Sequence, residues 1–129
     1  MARILVVDDE AAVRLMVIHA LELDGHQIEQ AADGNEALAR FPVFRPQIVV
    51  TDILMPNKEG IETMVELRKL DKAVKIVAMS GGGRTRNLSF LDLARKFGAD
   101  SVINKPFGLD QIRDTVRGVL AEPERPAGG

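Results

Sequence analysis

The stretch Ile48-Val49-Val50-Thr51-Asp52 constrains the fold of this chain more than any other. Its apolar run has no polar alternation, which is typical of a strand buried on both faces of a parallel sheet. The strand ends in a carboxylate, and open α/β sheets bind their ligands just outside the carboxyl ends of the strands. A second apolar run, residues 4–7, also ends in acids, Asp8 and Asp9. We therefore expect these acids to take part in ligand binding or catalysis and not in core packing.

Composition excludes several other classes of protein. The chain has 129 residues, which favours one domain. A formal net charge of -2 argues against a basic nucleic-acid surface or a polybasic membrane patch. The absence of cysteine excludes disulfides and thiolate metal sites. The first apolar run meets acids after four residues, which predicts neither a signal peptide nor a membrane span, and a cytoplasmic location is expected.

Apolar runs alternate with helical patterns five times. Strands are predicted at 4–7, 27–31, 48–52, 74–79 and 101–103, and the polar alternation of 27–31 favours a sheet edge. Five strands and five helices predict a single doubly wound (βα)5 α/β domain, a flavodoxin-like three-layer sandwich with parallel strand order 2-1-3-4-5. We expect the domain to span 1–121, with 122–129 a flexible tail or linker remnant.

Local signals set the predicted helix boundaries. Asp24-Gly25 is expected to end the first helix, and Asp33 with Glu36 resembles a capping box that opens the second. Pro42 is expected to stop that second helix. A third helix should follow the Pro56-Asn57 turn, a fourth should span 87–97, and a fifth should begin near 109.

The predicted strand order brings polar side chains to one edge of the sheet. Asp8, Asp9 and Asp52 lie there, with Ser80 and Lys105 on neighbouring strand ends. Three adjacent carboxylates need either a proton or a cation, and Mg²⁺ suits them better than Ca²⁺ because no loop has EF-hand spacing. A lysine and a hydroxyl beside them can hold a phosphoryl group. The pattern favours phosphoryl transfer to a carboxylate.

Four motifs occur along the chain in the order that is typical of one protein family. The chain resembles the CheY-like response-regulator receiver domain of two-component signalling over residues 2 to about 121. The motifs are Val7-Asp8-Asp9-Glu10, Asp52-x-x-Met55-Pro56-x-x-x-Gly60, Ala78-Met79-Ser80-Gly81 and Lys105-Pro106-Phe107.

The resemblance implies a role for each matching residue. Asp52 corresponds to the phosphoacceptor, which takes its phosphoryl group from a phosphohistidine of a sensor histidine kinase or phosphotransfer protein. The expected Mg²⁺ ligands are Asp8, Asp9, Asp52 and the backbone carbonyl of Leu54.

The motifs around the fourth and fifth strands complete the implied site. Ser80 and Lys105 match the residues that grip the phosphoryl group, and Gly81 leaves a path for the donor. The Lys105-Pro106 peptide is expected to be cis.

The implied protein is a phosphorelay switch, not an enzyme that turns over a metabolite. It catalyses its own phosphorylation and slow hydrolysis, and its interaction surface changes for a downstream protein target. No segment resembles a DNA-reading helix, so direct DNA binding is not expected, and no membrane partner is expected.

The sequence departs from the family at the residue three before the lysine. Receiver domains usually carry an aromatic residue there that turns inward on activation, whereas this chain has Val102 and no tyrosine. The loop 81–86 contains three glycines and two arginines. Ordering of that loop in place of the ring movement is a hypothesis.

Several alternatives stay open at this stage. A haloacid-dehalogenase-like phosphatase would also use a strand-end aspartate, but it needs a second acid where this chain has Leu54. An interaction module derived from a receiver would not need the intact acidic set. Asp8 and Asp9 could instead cap the first helix. The chain could also be a fragment of a longer regulator.

Overall fold

Five strands and four helices lie within residues 2–53, 60–80, 96 and 98–122, the part of the chain described by this computed structural model. The elements are β1 (Arg3–Val7), α1 (Ala11–Glu22), β2 (Gln27–Ala31), α2 (Gly34–Phe44), β3 (Ile48–Asp52), α3 (Gly60–Leu70), β4 (Lys75–Ser80), β5 (Ser101–Asn104) and α4 (Leu109–Ala121). Of the predicted helix at 87–97 only residue 96 is described. The turn at 56–57, the loop 81–86 and the tail after residue 122 also lie outside the described residues.

The strands form one parallel sheet in the order β2-β1-β3-β4-β5, which confirms the predicted fold class. The central position of β1 and β3 explains their unbroken apolar runs, and β2 is an edge strand as its polar alternation predicted. Val7 pairs with Ala31 on one side and with Thr51 on the other. Since all strands run the same way, their carboxyl ends meet at one edge.

Alternate residues of each strand enter two separate cores. Ile4 and Val6 face the core covered by α1 and α4, whereas Leu5 and Val7 face the core covered by α2 and α3. All four are fully buried. Each such side chain contributes about 1.5–3 kcal/mol of burial free energy, so the two cores hold the strand ends in a fixed register.

The beginning of α2 confirms the predicted capping interaction. The Glu36 N–H donates to Asp33 Oδ1 at 2.8 Å, and Glu36 Oε1 accepts from the Ala32 N–H at 2.9 Å. The first bond satisfies a donor that the helix N-terminus leaves without an intrahelical acceptor, and the second ties the residue before the cap to the first turn of α2.

The expectation that Pro42 stops α2 is wrong, because the helix continues to Phe44. Proline lacks one N–H, so in a last turn it removes a single helix bond and does not end the helix by itself. The helix ends at Arg45, which adopts the left-handed conformation at φ 54 and donates its N–H to the Phe41 carbonyl at 2.8 Å. Gly25, at φ 84, follows the end of α1 as predicted.

A buried lysine joins the start of β4 to the end of α4. Lys75 is 8% exposed, and its ammonium donates to the carbonyls of Val119, at 2.9 Å, and of Glu122. A cation at a helix C-terminus compensates carbonyls that have no intrahelical partner.

No helix among the described residues has both the length and the apolar content of a membrane span.

Candidate functional site

The predicted site residues of the described chain meet at the carboxyl edge of the sheet. Asp52 is the last residue of β3, and Asp8 and Asp9 directly follow β1. Ser80 ends β4 and pairs with Asn104 of β5, so Lys105 follows immediately beyond it. The sheet register therefore brings together all five side chains that the sequence singled out.

The three aspartates form a cluster able to hold a cation. Each offers one carboxylate oxygen, and the three oxygens lie within 4.8 Å of one another. Asp8 is fully buried and Asp52 is 4% exposed, whereas Asp9 faces solvent. Carboxylate oxygens are hard ligands of the kind that Mg²⁺ prefers, and an exposed third member leaves room for water. The donor set fits Mg²⁺, and no other group of acids or histidines among the described residues has such a geometry.

Lys105 supplies the positive charge of the site. Its Nζ lies 2.7 Å from Oδ2 of Asp8 and 3.2 Å from Oδ2 of Asp52. The same atom lies 3.5 Å from Oε1 of Glu10. Burial favours the neutral amine, but the hydrogen bond to Asp8 and the charges of Asp52 and Asp8 outweigh it and raise the pKa of Lys105. The lysine is therefore a cation with acidic partners on more than one side.

Burial disfavours the charged form of Asp8. Burial raises the pKa of its carboxyl, although the hydrogen bonds from Lys105 and from the Glu10 N–H act in the opposite direction. The net direction means that the native site favours the neutral carboxyl more than water does. A bound divalent cation would relieve this cost, because it stabilises the charged form.

The alternative role of the acid pair as a helix cap is not observed. The N-cap residue of α1 is Glu10, and no side chain caps that helix. Instead, Oδ1 of Asp8 accepts from the Glu10 backbone at 2.9 Å, which fixes the turn between β1 and α1. This turn directs Asp8 and Asp9 to the sheet edge.

Arg14 is a supporting residue that sequence reasoning missed. Its guanidinium donates to the backbone carbonyl of Asp8 at 2.7 Å and to Oε1 of Gln30 at 2.9 Å. The contact holds the peptide that joins the two acids. The only sequence signal was a cation on the first helix six residues after Asp8, and such a position is also common for a solvated arginine.

Gly60 brings α3 against the acceptor strand. A Cβ at this position would overlap the Asp52 carbonyl oxygen and the Ile53 Cα. The Gly60 N–H donates to the Ile53 carbonyl at 3.1 Å. Only a residue without a side chain allows this close approach, which explains the glycine of the Asp52 motif.

The strand ends of β4 and β5 are tied together behind the site. Ser80 is 6% exposed, and its carbonyl accepts from the Lys105 N–H at 2.8 Å. The Lys105-Pro106 peptide is cis, as predicted. Leu54 and Gly81 lie outside the described residues, so their expected roles stay predictions.

Val102 lies on β5 opposite Ala78 of β4. It is partly buried and packs against the core beneath α2 and α3. A valine has no aromatic ring, so Val102 cannot make the inward ring movement that is usual in receiver domains. The loop 81–86, to which the sequence assigned the alternative switch, lies outside the described residues.

His26 has a structural role. Its Nδ1 accepts from the Ala2 N–H at 3.1 Å, which occupies one ring nitrogen. Partial burial lowers the pKa of the His26 imidazole. This contact joins the beginning of β1 to the loop before β2.

The chain matches a family model described as the response regulator receiver domain over residues 4–117. Among curated proteins it is 31% identical to the sporulation initiation phosphotransferase F of Bacillus subtilis, over 92% of this chain and 93% of that protein. It is 35% identical to the transcriptional regulatory protein TrcR of Mycobacterium tuberculosis, but covers only 49% of that protein. The chain therefore spans nearly all of one relative and about half of the other.

Solved structures show the same architecture. The receiver domain of NtrX from Brucella abortus is 31% identical with a TM-score of 0.85, and the alignment covers 93% of this chain and 99% of that one. The chemotaxis protein CheY4 of Vibrio cholerae is 30% identical with a TM-score of 0.84, over 92% of this chain and 98% of that one.

Proposed function

Because the chain belongs to the response regulator receiver domain family, we propose that Asp52 is the residue on which it takes up a phosphoryl group. Members of this family are phosphoacceptor signalling switches, and this chain is one of them. The observation that carries the assignment to Asp52 is its position in the described site. It is a nearly buried carboxylate within reach of one ammonium and two further carboxylates.

The transfer step needs a nucleophile and a leaving group. An Asp52 carboxylate oxygen forms a bond to phosphorus while the bond between phosphorus and the imidazole nitrogen of a donor phosphohistidine breaks. The imidazole leaves with the electron pair of that bond and takes up a proton. Such a step depends on alignment and on charge neutralisation more than on covalent chemistry by the protein.

Receiver domains bind Mg²⁺ at an acidic pocket. In this chain the proposed ligands are Asp8, Asp9 and Asp52, whose oxygens the structure brings together, and the backbone carbonyl of Leu54. When bound, Mg²⁺ supplies positive charge that lowers the repulsion between the acids and the incoming phosphoryl group. Bound Mg²⁺ would also favour the charged form of Asp8, which burial disfavours.

Lys105 and Ser80 are proposed to hold the transferred group. The ammonium of Lys105 lies 3.2 Å from the Asp52 oxygen and can form a charge-assisted bond with a phosphoryl oxygen. Ser80 lies at the end of the neighbouring strand and has a hydroxyl donor. Neither side chain acts as a nucleophile in this scheme.

Receiver domains work with histidine kinases or phosphotransfer proteins, and we assign one of these as the donor. A downstream protein is proposed to read the phosphorylated surface, without direct DNA contact by this chain. The proposed switch turns over no metabolite, and its proposed location is cytoplasmic, where kinases have access to ATP.

The phosphatase alternative receives no support from the comparisons, which identify receiver domains. The acid pair also follows β1, whereas the acceptor is the last residue of β3. An interaction module that is never phosphorylated would not require Lys105 and the three acids to meet at one point, and no relative supports it.

The proposal is tested by intact-mass spectrometry after incubation with acetyl phosphate and Mg²⁺. The wild type should gain one phosphoryl group, and Asp52→Asn should gain none. Asp110→Asn is a matched control, because its side chain is 92% exposed and lies outside the site. An Asp52→Asn variant that still gains a phosphoryl group would overturn the assignment.

A further inference from the structure

Glu10 lies at the solvent side of the site and has no role in the scheme above. Its Oε1 is 3.5 Å from Lys105 Nζ, and its side chain is 62% exposed. The partners on the inner side of the same ammonium, Asp8 and Asp52, are almost fully buried. Glu10 therefore places a carboxylate at the entrance and not among the three clustered aspartates.

The charge of Glu10 makes the solvent side of the site more negative. Among the described residues, the four carboxylates of Asp8, Asp9, Asp52 and Glu10 lie near two cations, Lys105 and Arg14. Loss of the Glu10 charge would remove one of these four negative charges. An approaching phosphoryl donor is itself an anion, so the exposed Glu10 carboxylate adds to its repulsion.

We propose that Glu10 is a selectivity residue that disfavours small, free anionic phosphoryl donors relative to a protein donor. The inference rests on the proposed phosphorylation of Asp52. A protein donor can present its own lysine or arginine to Glu10 and so convert repulsion into an ion pair. A free acyl phosphate has no such group. The Debye length is about 8 Å at physiological ionic strength, so Glu10 acts on a donor that has already reached the entrance.

This role predicts two opposite effects of Glu10→Gln. Loss of the negative charge should raise the rate of phosphorylation by acetyl phosphate about three- to tenfold at low ionic strength and saturating Mg²⁺. The same loss should weaken Mg²⁺ binding by about two- to fivefold, because an attractive charge near the cation is gone. A purely structural role would damage both properties together.

Glu22→Gln is the matched control. Glu22 is exposed and is the last residue of α1, and its substitution changes the net charge by the same amount as Glu10→Gln. Rates are followed by intact mass with acetyl phosphate, a dianion, and with phosphoramidate, which carries one negative charge less. The chain has no tryptophan or tyrosine, so Mg²⁺ binding is followed by calorimetry.

The expected result is faster phosphorylation of Glu10→Gln only. This rate increase should be larger with acetyl phosphate than with phosphoramidate and should be lost at high salt. Calorimetry should show weaker Mg²⁺ binding for that variant alone. Equal rates in wild type and Glu10→Gln, or equal acceleration in Glu22→Gln, would overturn the selectivity role while Asp52 phosphorylation stands. A wild type that accepts no phosphoryl group from either donor would overturn the proposed function and this inference with it.

Discussion

Lys105 lies closer to Asp8 than to Asp52, with its ammonium 2.7 Å from Oδ2 of Asp8 and 3.2 Å from Oδ2 of Asp52. In the described site the lysine therefore pairs most closely with a proposed Mg²⁺ ligand and not with the proposed acceptor. A cation bound at Asp8 would compete with this pairing and leave the ammonium available to a phosphoryl group on Asp52. The pairing thus connects metal binding with the availability of Lys105.

Asp8→Asn should stabilise the protein in the absence of Mg²⁺. Burial raises the pKa of the Asp8 carboxyl despite its partners, so the ionised form is unfavourable in the native state. A neutral amide of the same shape should raise the free energy of unfolding by about 1 kcal/mol, as such substitutions at functional sites commonly do. Urea denaturation in EDTA measures the change.

In the presence of Mg²⁺ the wild type should be more stable than Asp8→Asn. At a concentration about 100-fold above its dissociation constant, Mg²⁺ should stabilise the wild type by about 2.7 kcal/mol. Asp8→Asn should gain much less, because it has lost a ligand. A variant less stable than wild type in EDTA, or equally stabilised by Mg²⁺, would contradict the account of Asp8.

The stability difference between Asp8→Asn and wild type should depend on pH. Below pH 3.8, the ordinary pKa of an aspartate carboxyl, Asp8 is protonated in both the native and unfolded states, so it makes no pH-dependent difference. As the pH rises above 3.8, the unfolded state releases its proton first, and the wild type loses stability relative to the variant. The difference should stop growing once the pH exceeds the raised native pKa. Urea titrations at several pH values in EDTA test this, and a difference that shrinks with rising pH would contradict it.

Gly60→Ala should destabilise the protein and disturb the acceptor strand. The new methyl group would overlap the backbone of Asp52 and Ile53, so α3 has to move away. We expect a loss of about 1–3 kcal/mol, in the range of overpacking substitutions. Gly118→Ala is the control, since a Cβ there meets nothing within 4 Å in α4, and it should stabilise the helix by about 0.5–1 kcal/mol. Thermal denaturation distinguishes the two, and equal effects would argue against close approach at Gly60.

Lys75→Met should loosen the end of α4 without affecting phosphorylation. The variant keeps the apolar stem but removes the donor to the Val119 and Glu122 carbonyls. A loss of about 1–3 kcal/mol is expected, together with faster amide exchange in the last turn of α4. Lys72→Met, at an exposed position, should change neither property. Unchanged exchange in Lys75→Met would show that these bonds do not hold the helix end.

The sequence predicts the fold well because its signals are local. The apolar runs of β1 and β3 mark buried central strands, and their terminal acids mark the sheet edge where Asp8, Asp9 and Asp52 meet. The Asp33 and Glu36 cap was predictable for the same reason, since its partners lie within one helical turn.

The contacts that sequence patterns miss join distant parts of the chain. Lys75 reaches the end of α4, 44 residues away, and nothing beside Lys75 in the sequence indicates such a partner. The proximity of Glu10 to Lys105 also depends on the assembled sheet. The end of α2 was wrongly predicted because the left-handed conformation of Arg45, and not the missing N–H of Pro42, ends the helix.

The location of the phosphoryl group tests the central claim most directly. Sodium borohydride reduces an aspartyl phosphate to homoserine, so tandem mass spectrometry of the treated protein identifies the acceptor. After incubation with acetyl phosphate we predict homoserine at position 52 alone in Mg²⁺, and none in EDTA. Homoserine at position 8 or 9, or none at position 52 in Mg²⁺, would contradict the account.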